Sequence, residues 1–430
     1  MTSRSRSTVL GGAFRCAAAV GMLVGIAAAA MAQDPASTPE DARSTANALT
    51  HGIDAEPLKK LLERARASAS DAVVLVRDGA PLGTWRFGKE EGPIEAMSAT
   101  KSVVALAIGR LLADGRLESL DVPVHRFFPE WNQGRKAAIT VRHLLTQRSG
   151  LQCDRVTTEI YRSPDFVQLA FAAELAEEPG KQFRYNNKAV NLLAGIVQRV
   201  SGTRMDELLG EELFEPMGIT DWDWSLDAAG NPHGMSGLQI RPEDLAKIGQ
   251  LMLDGGVFEK TRLLPESYVR EAVTDQVRPA NLDDVEKISE LYGPRYGLLW
   301  WPQDEPEFAI TDRLLSQWRQ LGVPEAFVTK MATLKDVRGP ELRPRAVELA
   351  GGEDAWNQTT WMAGRPDFDI VAFRNVGFSA EGYLGQYLVV VPARRLVAVR
   401  MRRAPDGPFD ERKIDSLRDF KELVAALARE

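Results

Sequence analysis

The two ends of the chain carry strand-forming sequence, whereas the middle carries helical sequence. Residues 72–88 read AVVLVRDGAPLGTWRFG, two β-rich runs around a turn at 77–80, and residues 387–401 read YLVVVPARRLVAVRM, with a turn at 392–395. Residues 115–275 are mostly helical in pattern, with several segments that end in glycine. Distant strands bury their apolar faces most simply in one shared sheet. We therefore predict an α/β (α+β) fold, with an antiparallel sheet built from N- and C-terminal strands, flanking helices and an inserted, mostly helical subdomain.

Changes in pattern also suggest where the parts of the chain begin and end. We expect a linker and an N-terminal helix over 33–70, with a mobile Ala-, Ser-, Thr-, Asp- and Pro-rich linker at 33–55 and a helix at 57–67. The catalytic domain is predicted over 71–430, its α/β part formed by 71–112 and 290–430 and its helical part by 113–289. The end of the chain, residues 415–430, reads as an amphipathic helix.

The first 32 residues differ in composition from the rest. Three arginines precede an Ala-rich apolar run that ends in Ala-Met-Ala, which is typical of a secretory signal peptide cleaved after Ala32. The alternative is a membrane anchor, but the run is shorter than the roughly 20 apolar residues that span a bilayer. We therefore expect an exported protein, periplasmic or secreted, without a stable membrane span after cleavage.

Charge and cysteine content exclude several classes of function. The formal net charge is −7, and removing the leader leaves 50 basic against 60 acidic residues, with no basic stretch that would suggest a nucleic-acid partner. The mature chain keeps a single cysteine, Cys153, so it cannot form an internal disulfide. Cys153 is either a reactive thiol or a small buried filler, and no histidine partner is evident in the sequence.

A serine and a lysine stand at the start of the most apolar helical stretch, residues 98–112. Ser98 and Lys101 are three residues apart, so on a helix they share one face, and a serine at a helix start has its amide among the unsatisfied N–H groups. A lysine in an apolar setting can act as a base in its neutral form. The S-x-x-K pattern alone is weak, because about one or two chance occurrences are expected in a chain of this length. Its plain alternative is a helix cap with a solvated lysine.

A second motif strengthens the chemical interpretation. Tyr185 and Asn187 form a Y-x-N pattern that occurs once, directly before another apolar helix. A tyrosine beside a lysine can be held as phenolate or can pass a proton between a serine and a leaving group, and the amide can bind both lysine and substrate. The chain has only four histidines and lacks the G-x-S-x-G, H-E-x-x-H, G-x-G-x-x-G and phosphate-loop patterns. We therefore expect no metal or organic cofactor.

Several stretches together resemble the β-lactamase-related serine hydrolases, which include class C β-lactamases, DD-peptidases, D-aminopeptidases, serine esterases and 6-aminohexanoate-dimer hydrolases. The stretches are MSATKS (97–102), YNNKAVNLLAGIVQRVSG (185–202) and SAEGYLGQYLVVVPARRLVAVRM (379–401), within a resemblance over about 71–403. The resemblance implies that Ser98 is the acylated nucleophile, that Lys101 and Tyr185 share the base and proton-shuttle role, and that Asn187 orients Lys101 and substrate. These roles are expectations from the family.

The third family motif, usually Lys-Thr-Gly, departs from the pattern here. The matching residues are 380–382, Ala-Glu-Gly, so the lysine that would bind a substrate carboxylate is missing. The resemblance implies that the Tyr383 amide joins the Ser98 amide as the oxyanion hole. Loss of the lysine favours the esterase and 6-aminohexanoate-dimer hydrolase branch over a dedicated β-lactamase or DD-peptidase acting with the same residues. A catalytically silent protein that binds peptidoglycan fragments or a protein partner is the alternative outside enzymes.

Residues 302–376 form an insertion relative to the family pattern. Three stretches within it look helical, and it is either a cap that narrows the substrate range or a peripheral decoration or dimer contact. The pairs Trp222/Trp224 and Trp300/Trp301 either line an apolar acyl pocket or pack in the core. We expect a small ester, amide or peptide-like substrate, whereas the oligomeric state is left open.

Overall fold

The computed structural model describes residues 38–88, 90–154, 156–278 and 294–428, so the predicted signal peptide lies outside the described residues. The strands are β1 (Ala72–Arg77), β2 (Ala80–Arg86), β3 (Ile94–Glu95), β4 (Trp222–Trp224), β5 (Leu238–Ile240), β6 (Val257–Phe258), β7 (Thr261–Arg262), β8 (Trp301–Ala309), β9 (Asp369–Gly382), β10 (Gln386–Val391) and β11 (Leu396–Met401).

The α-helices are α1 (Pro39–Thr50), α2 (Ala55–Ala67), α3 (Thr100–Ala113), α4 (Val141–Leu145), α5 (Thr158–Arg162), α6 (Phe166–Ala172), α7 (Asn187–Ser201), α8 (Met205–Leu209), α9 (Pro242–Leu253), α10 (Glu266–Ala272), α11 (Asp312–Gln320), α12 (Glu325–Ala332), α13 (Leu342–Ala350), α14 (Glu353–Thr359) and α15 (Phe420–Ala425). Two short 3₁₀ turns, Met97–Ala99 and Tyr383–Gly385, adjoin the candidate site.

The main sheet combines strands from both ends of the chain, in the order β2-β1-β11-β10-β9-β8. β1 pairs antiparallel with β2 on one side and with β11 on the other, and β10 pairs antiparallel with β11 and β9. Both predicted hairpins and the predicted antiparallel sheet from N- and C-terminal strands are confirmed. β5 lies between β3 and β4 in a separate three-stranded sheet.

Strand alternation gives the main sheet two apolar faces. Val74, Val390 and Val399 belong to a large core that also contains α3, α7 and α9. The residues beside them, such as Val73 and Val389, point the other way into a smaller core with α1, α2 and α15. Because side chains alternate between faces along a strand, one sheet serves both layers.

The predicted helix at 98–112 is confirmed, as α3 with a 3₁₀ turn before it. The side chains of its middle, from Val103 to Ile108, are all at most 1% exposed. Such burial on every side explains why apolar residues in this stretch are too dense for a surface helix.

Two predictions at the ends of the chain are wrong in part. Residues 39–50 of the expected mobile linker form α1, because Thr38 and Asp41 make a capping box and the buried Trp85 indole donates to Thr45 Oγ1 at 3.1 Å. The C-terminal helix, expected over 415–430, is α15 and begins only at Phe420. Leu417, with φ of 49°, has a left-handed backbone that cannot belong to an α-helix.

Contacts divide the chain into two compact units. The second unit consists of Arg278–Arg295 and Gln303–Val376, and it therefore includes almost all of the predicted insertion. The helices expected there are present as α11, α12 and α13. Its own core is built around Trp318 and Trp356, both fully buried, with the Trp318 indole donating to the Pro366 carbonyl at 2.9 Å. The cap and the peripheral interpretations of the insertion both stay predictions.

Candidate active site

Ser98 lies in the short turn between β3 and α3. β3 pairs with β5, and the Ala96 amide donates to the Leu238 carbonyl at 2.8 Å, so the turn is fixed to the three-stranded sheet. Met97, directly before the serine, has φ of 49°, an uncommon left-handed conformation for a residue with a side chain. The backbone bends sharply here, and Ser98 remains half-buried while Thr100 and Lys101 on α3 are buried.

Lys101 lies one turn along α3 from Ser98, and the two side chains meet. The Lys101 Nζ atom is 3.0 Å from Ser98 Oγ and donates to the Met235 carbonyl at 2.7 Å. The lysine is 1% exposed, and no carboxylate of the described residues forms an ion pair with it. Burial without a counter-charge lowers the pKa of Lys101 to about 7. A large fraction of this amine is therefore neutral at neutral pH, with a lone pair available to the Ser98 hydroxyl.

Tyr185 stands beside the same two groups. Lys101 Nζ is 5.0 Å from the centre of the Tyr185 ring, and this ring stacks on Trp301 with centroids 6.0 Å apart. Burial raises the pKa of Tyr185 to about 12, although hydrogen bonding to Ser98 opposes the rise. The phenol therefore keeps its proton at neutral pH. Of the two possibilities left open by the sequence, a proton-relaying phenol agrees with this pKa, and a resident phenolate does not.

The two asparagines after Tyr185 differ in their surroundings. Asn186 is buried and caps α7, accepting from the Ala189 amide at 2.9 Å. Asn187 is half-buried, and within the described chain its side chain makes no hydrogen bond to Lys101. Its expected role in orienting lysine and substrate stays a prediction. Asn191, one turn further along α7, accepts from the Gly234 amide at 2.8 Å and so anchors the segment that presents the Met235 carbonyl.

The end of β9 approaches the Ser98 turn closely. A Cβ atom added to Gly382 would lie 2.5 Å from the Ala96 carbonyl oxygen and 3.1 Å from the Ala99 amide nitrogen, which flank Ser98 in sequence. Only glycine leaves room for this approach. Tyr383 follows immediately, and neither its amide nor that of Ser98 donates to an acceptor among the described residues. Both amides are thus available at the edge where the family resemblance implies an oxyanion hole.

The third motif lacks a cation on the face that points toward the site. Ala380 lies on the same face of β9 as Gly382, is 1% exposed and belongs to the large core. Glu381 points to the opposite face and forms an ion pair with Lys421 at 2.8 Å. The Tyr383 side chain is 44% exposed, and its phenol bonds to Glu411. The motif therefore offers backbone amides but no lysine.

The sequence did not predict one group of the site and left the location of two tryptophan pairs open. The Met235 carbonyl is a backbone group, and no side-chain pattern signals it. Trp301 lies against Tyr185, whereas its neighbour Trp300 is fully buried and packs edge-on against Phe378. The pair Trp222/Trp224 lies in or against the large core.

Cys153 is not part of the group formed by Ser98, Lys101 and Tyr185. Cys153 is half-buried and donates to the Tyr185 carbonyl at 3.6 Å, and burial raises its pKa, as expected for a filler rather than a thiolate. Among residues 38–88, 90–154, 156–278 and 294–428, no three metal-ligating side chains cluster, and no helix has the length and apolar character needed to cross a bilayer.

Comparisons with a family model and with individual proteins agree on one family for this chain. A family model described as Beta-lactamase matches residues 58–420. Esterase EstB from Burkholderia gladioli is 27% identical over 212 residues, which cover 44% of this chain and 54% of the esterase. In eight curated relatives, EstB among them, the aligned region covers from 26 to 54% of the relative's own length.

Solved structures that share the fold include these two. A putative beta-lactamase from Bacteroides dorei superposes with a TM-score of 0.60 at 18% identity, covering 87% of this chain and 99% of that one. A putative 6-aminohexanoate-dimer hydrolase from Bacillus anthracis superposes with a TM-score of 0.55 at 18% identity, covering 82 and 78%. With a family model matching most of its length, the chain belongs to the Beta-lactamase family.

Proposed function

We propose that this protein is a serine hydrolase that cleaves an ester or amide through an acyl-enzyme on Ser98, and that it is an esterase or amidase rather than a dedicated β-lactamase. The observation that carries the proposal is the 3.0 Å contact between Ser98 Oγ and a buried Lys101 amine without a counter-charge. This is a nucleophile beside a base whose pKa of about 7 suits neutral pH.

The proposed reaction has two halves. In the first, Ser98 Oγ attacks the acyl carbon, its proton passes to Lys101 Nζ, and the amides of Ser98 and Tyr383 bind the negative carbonyl oxygen. The phenol of Tyr185, next to both groups, donates a proton to the leaving alcohol or amine and is reprotonated from Lys101. In the second half, water gives a proton to Lys101 Nζ and attacks the acyl carbon. The intermediate then breaks its bond to Ser98 Oγ and releases the acid, and Lys101 returns the proton to Ser98 Oγ, which restores the hydroxyl.

The third motif supports the choice of substrate class. A β-lactam or peptidoglycan peptide carries a carboxylate next to the reacting bond, and a lysine at the position of Ala380 would be its partner. Here that position is a buried alanine, and the adjacent Glu381 is held by Lys421. Neutral esters and amides do not need the missing cation. The similarity to esterase EstB agrees with this choice.

One experiment separates the candidate activities. The mature protein, which we propose to be exported after cleavage behind Ala32, is incubated with a fluorophosphonate probe, p-nitrophenyl esters and a chromogenic cephalosporin. We expect labelling and ester turnover that Ser98→Ala abolishes and Ser267→Ala retains, since Ser267 is an exposed serine on the surface of α10. Absence of Ser98-dependent labelling and turnover would refute the proposed hydrolase activity. Rapid cleavage of the cephalosporin without hydrolysis of the p-nitrophenyl esters would instead favour a β-lactamase.

A further inference from the structure

The turn that carries the Tyr383 amide has an unfavourable backbone conformation. Within Tyr383–Gly385, Leu384 has φ of 65° and Gly385 has φ of 79°. A left-handed leucine costs free energy and persists only where its surroundings impose it. The turn therefore needs an external restraint if its first amide is to keep one direction.

Arg400 on β11 supplies contacts of that kind. Its Nη1 atom donates to the Leu384 carbonyl at 2.5 Å and to the Gly385 carbonyl at 2.7 Å. A Cβ atom on Gly385 would collide with Arg400 Nη1 and with the Ser416 carbonyl, so glycine is required where the guanidinium approaches the backbone. One planar group thus holds two consecutive carbonyls of the turn.

The other side of the guanidinium is fixed by two buried serines. Arg400 Nε donates to Ser70 Oγ at 2.8 Å, and Nη2 donates to the Ser68 carbonyl at 3.2 Å. Both serines are at most 3% exposed, and both follow α2 directly. The arginine therefore links the turn to the segment between α2 and β1.

A guanidinium in this position is not explained by fold stability alone. Arg400 is 0% exposed, and no carboxylate of the described chain lies within ion-pair distance of it. A buried charge carries a large desolvation cost, and an apolar residue of similar size often serves stability as well or better. Its neighbours in the second core, such as Val389 and Ala398, are apolar. The charged group is needed where two carbonyls must be held in a fixed direction.

We propose that Arg400 is a positioning residue for the oxyanion hole: it holds the carbonyls of Leu384 and Gly385 so that the Tyr383 amide points at the developing oxyanion. The inference rests on the proposed function, because it assigns Arg400 a role in the same site. Arg400 does not touch the reacting atoms. It acts through the turn, and its effect should appear in the step where negative charge develops on the carbonyl oxygen.

The test compares Arg400→Lys and Arg400→Met with a matched control, Arg402→Met. Arg402 contacts the Ser68 and Asp415 carbonyls but not the turn. With p-nitrophenyl esters, and with kcat referred to active sites titrated by the fluorophosphonate, we expect Arg400→Met to lower kcat by about 10- to 100-fold with KM changed less than about threefold. Arg400→Lys, which keeps one donor group, should retain more activity than Arg400→Met, and Arg402→Met should match the wild type.

The outcomes distinguish this inference from the proposed function. Absence of Ser98-dependent turnover in the wild type would overturn both. Wild-type turnover with kcat unchanged in the folded Arg400→Lys and Arg400→Met proteins would overturn the role of Arg400 alone. If Arg400→Met does not fold, Arg400→Lys decides, since a lysine cannot hold both carbonyls and both serines. Unchanged kcat in that variant overturns the inference, and a lowered kcat at constant KM supports it.

Discussion

Replacing Lys101 by methionine should stabilise the protein near neutral pH while it removes activity. The pKa of Lys101 is lowered from 10.5 to about 7 because the amine is buried without a carboxylate partner. The unfolded chain therefore binds this proton more tightly than the folded protein does. The contribution of Lys101 to the stability of the wild type should rise with pH between about 7 and 10.5, and below this window the folded protein should bear the full cost of the buried charge.

The size of the effect follows from the shift. Each unit of pKa difference corresponds to about 1.4 kcal/mol, so at pH 7 the buried amine costs the wild type about 4 kcal/mol. Methionine removes this cost but also removes the contacts to Ser98 Oγ and the Met235 carbonyl, at about 1 kcal/mol each. We expect a net gain of about 2 kcal/mol at pH 7 that vanishes at about pH 9 and becomes a loss at higher pH.

Urea unfolding of the wild type and Lys101→Met at several pH values from 6 to 10 measures this difference directly. Other titrating groups are common to both proteins and cancel. Lys59→Met is the control for replacing a lysine by methionine, because Lys59 is exposed on α2. A difference between Lys101→Met and wild type that stays constant from pH 6 to 10 would refute the claim that burial depresses this pKa.

Three further predictions concern activity. The rate of acylation should rise with pH through about 7, as Lys101 loses its proton, and the measured quantity is kcat/KM for a p-nitrophenyl ester. Tyr185→Phe should lower kcat about 10²-fold or more for an amide, which needs a protonated leaving group, and less for an activated ester; equal losses would argue against the relay. Gly382→Ala should lower kcat/KM, because its Cβ would meet the Ala96 carbonyl at 2.5 Å. Gly249→Ala is the control, because its Cβ would meet the Leu388 side chain in the core. This control should lower the urea midpoint and leave kcat per active site unchanged.

The sheet could be predicted from sequence because its signals are local. Strands β1, β10 and β11 are rich in valine, and a short turn joins each pair of neighbouring strands, so residue composition and turn signals indicate two hairpins. α1 was missed because its composition is polar and small. It is stabilised by a capping box and by hydrogen bonds with β2, a distant partner that composition does not show. These bonds include the one from the Trp85 indole to Thr45 and the one from the Asn47 amide to the Leu82 carbonyl.

The candidate site likewise contains residues that the sequence predicts and contacts that it does not. Ser98 and Lys101 are one helical turn apart, so their contact follows from α-helical geometry. The placement of Tyr185 depended on resemblance to a family. The contributions of the Met235 carbonyl and Arg400 arise from tertiary approach of backbone groups, and no residue pattern along the chain encodes these contacts.

The pairing of β1 with β11 has a consequence for synthesis of the protein. Ala72 and Met401 are direct partners in the middle of the sheet, so the sheet cannot close until the chain as far as β11 has left the ribosome. Contacts between residues so far apart in sequence form late, because a long loop must close before they are gained. A chain truncated before β11 would therefore leave β1 with an unpaired edge.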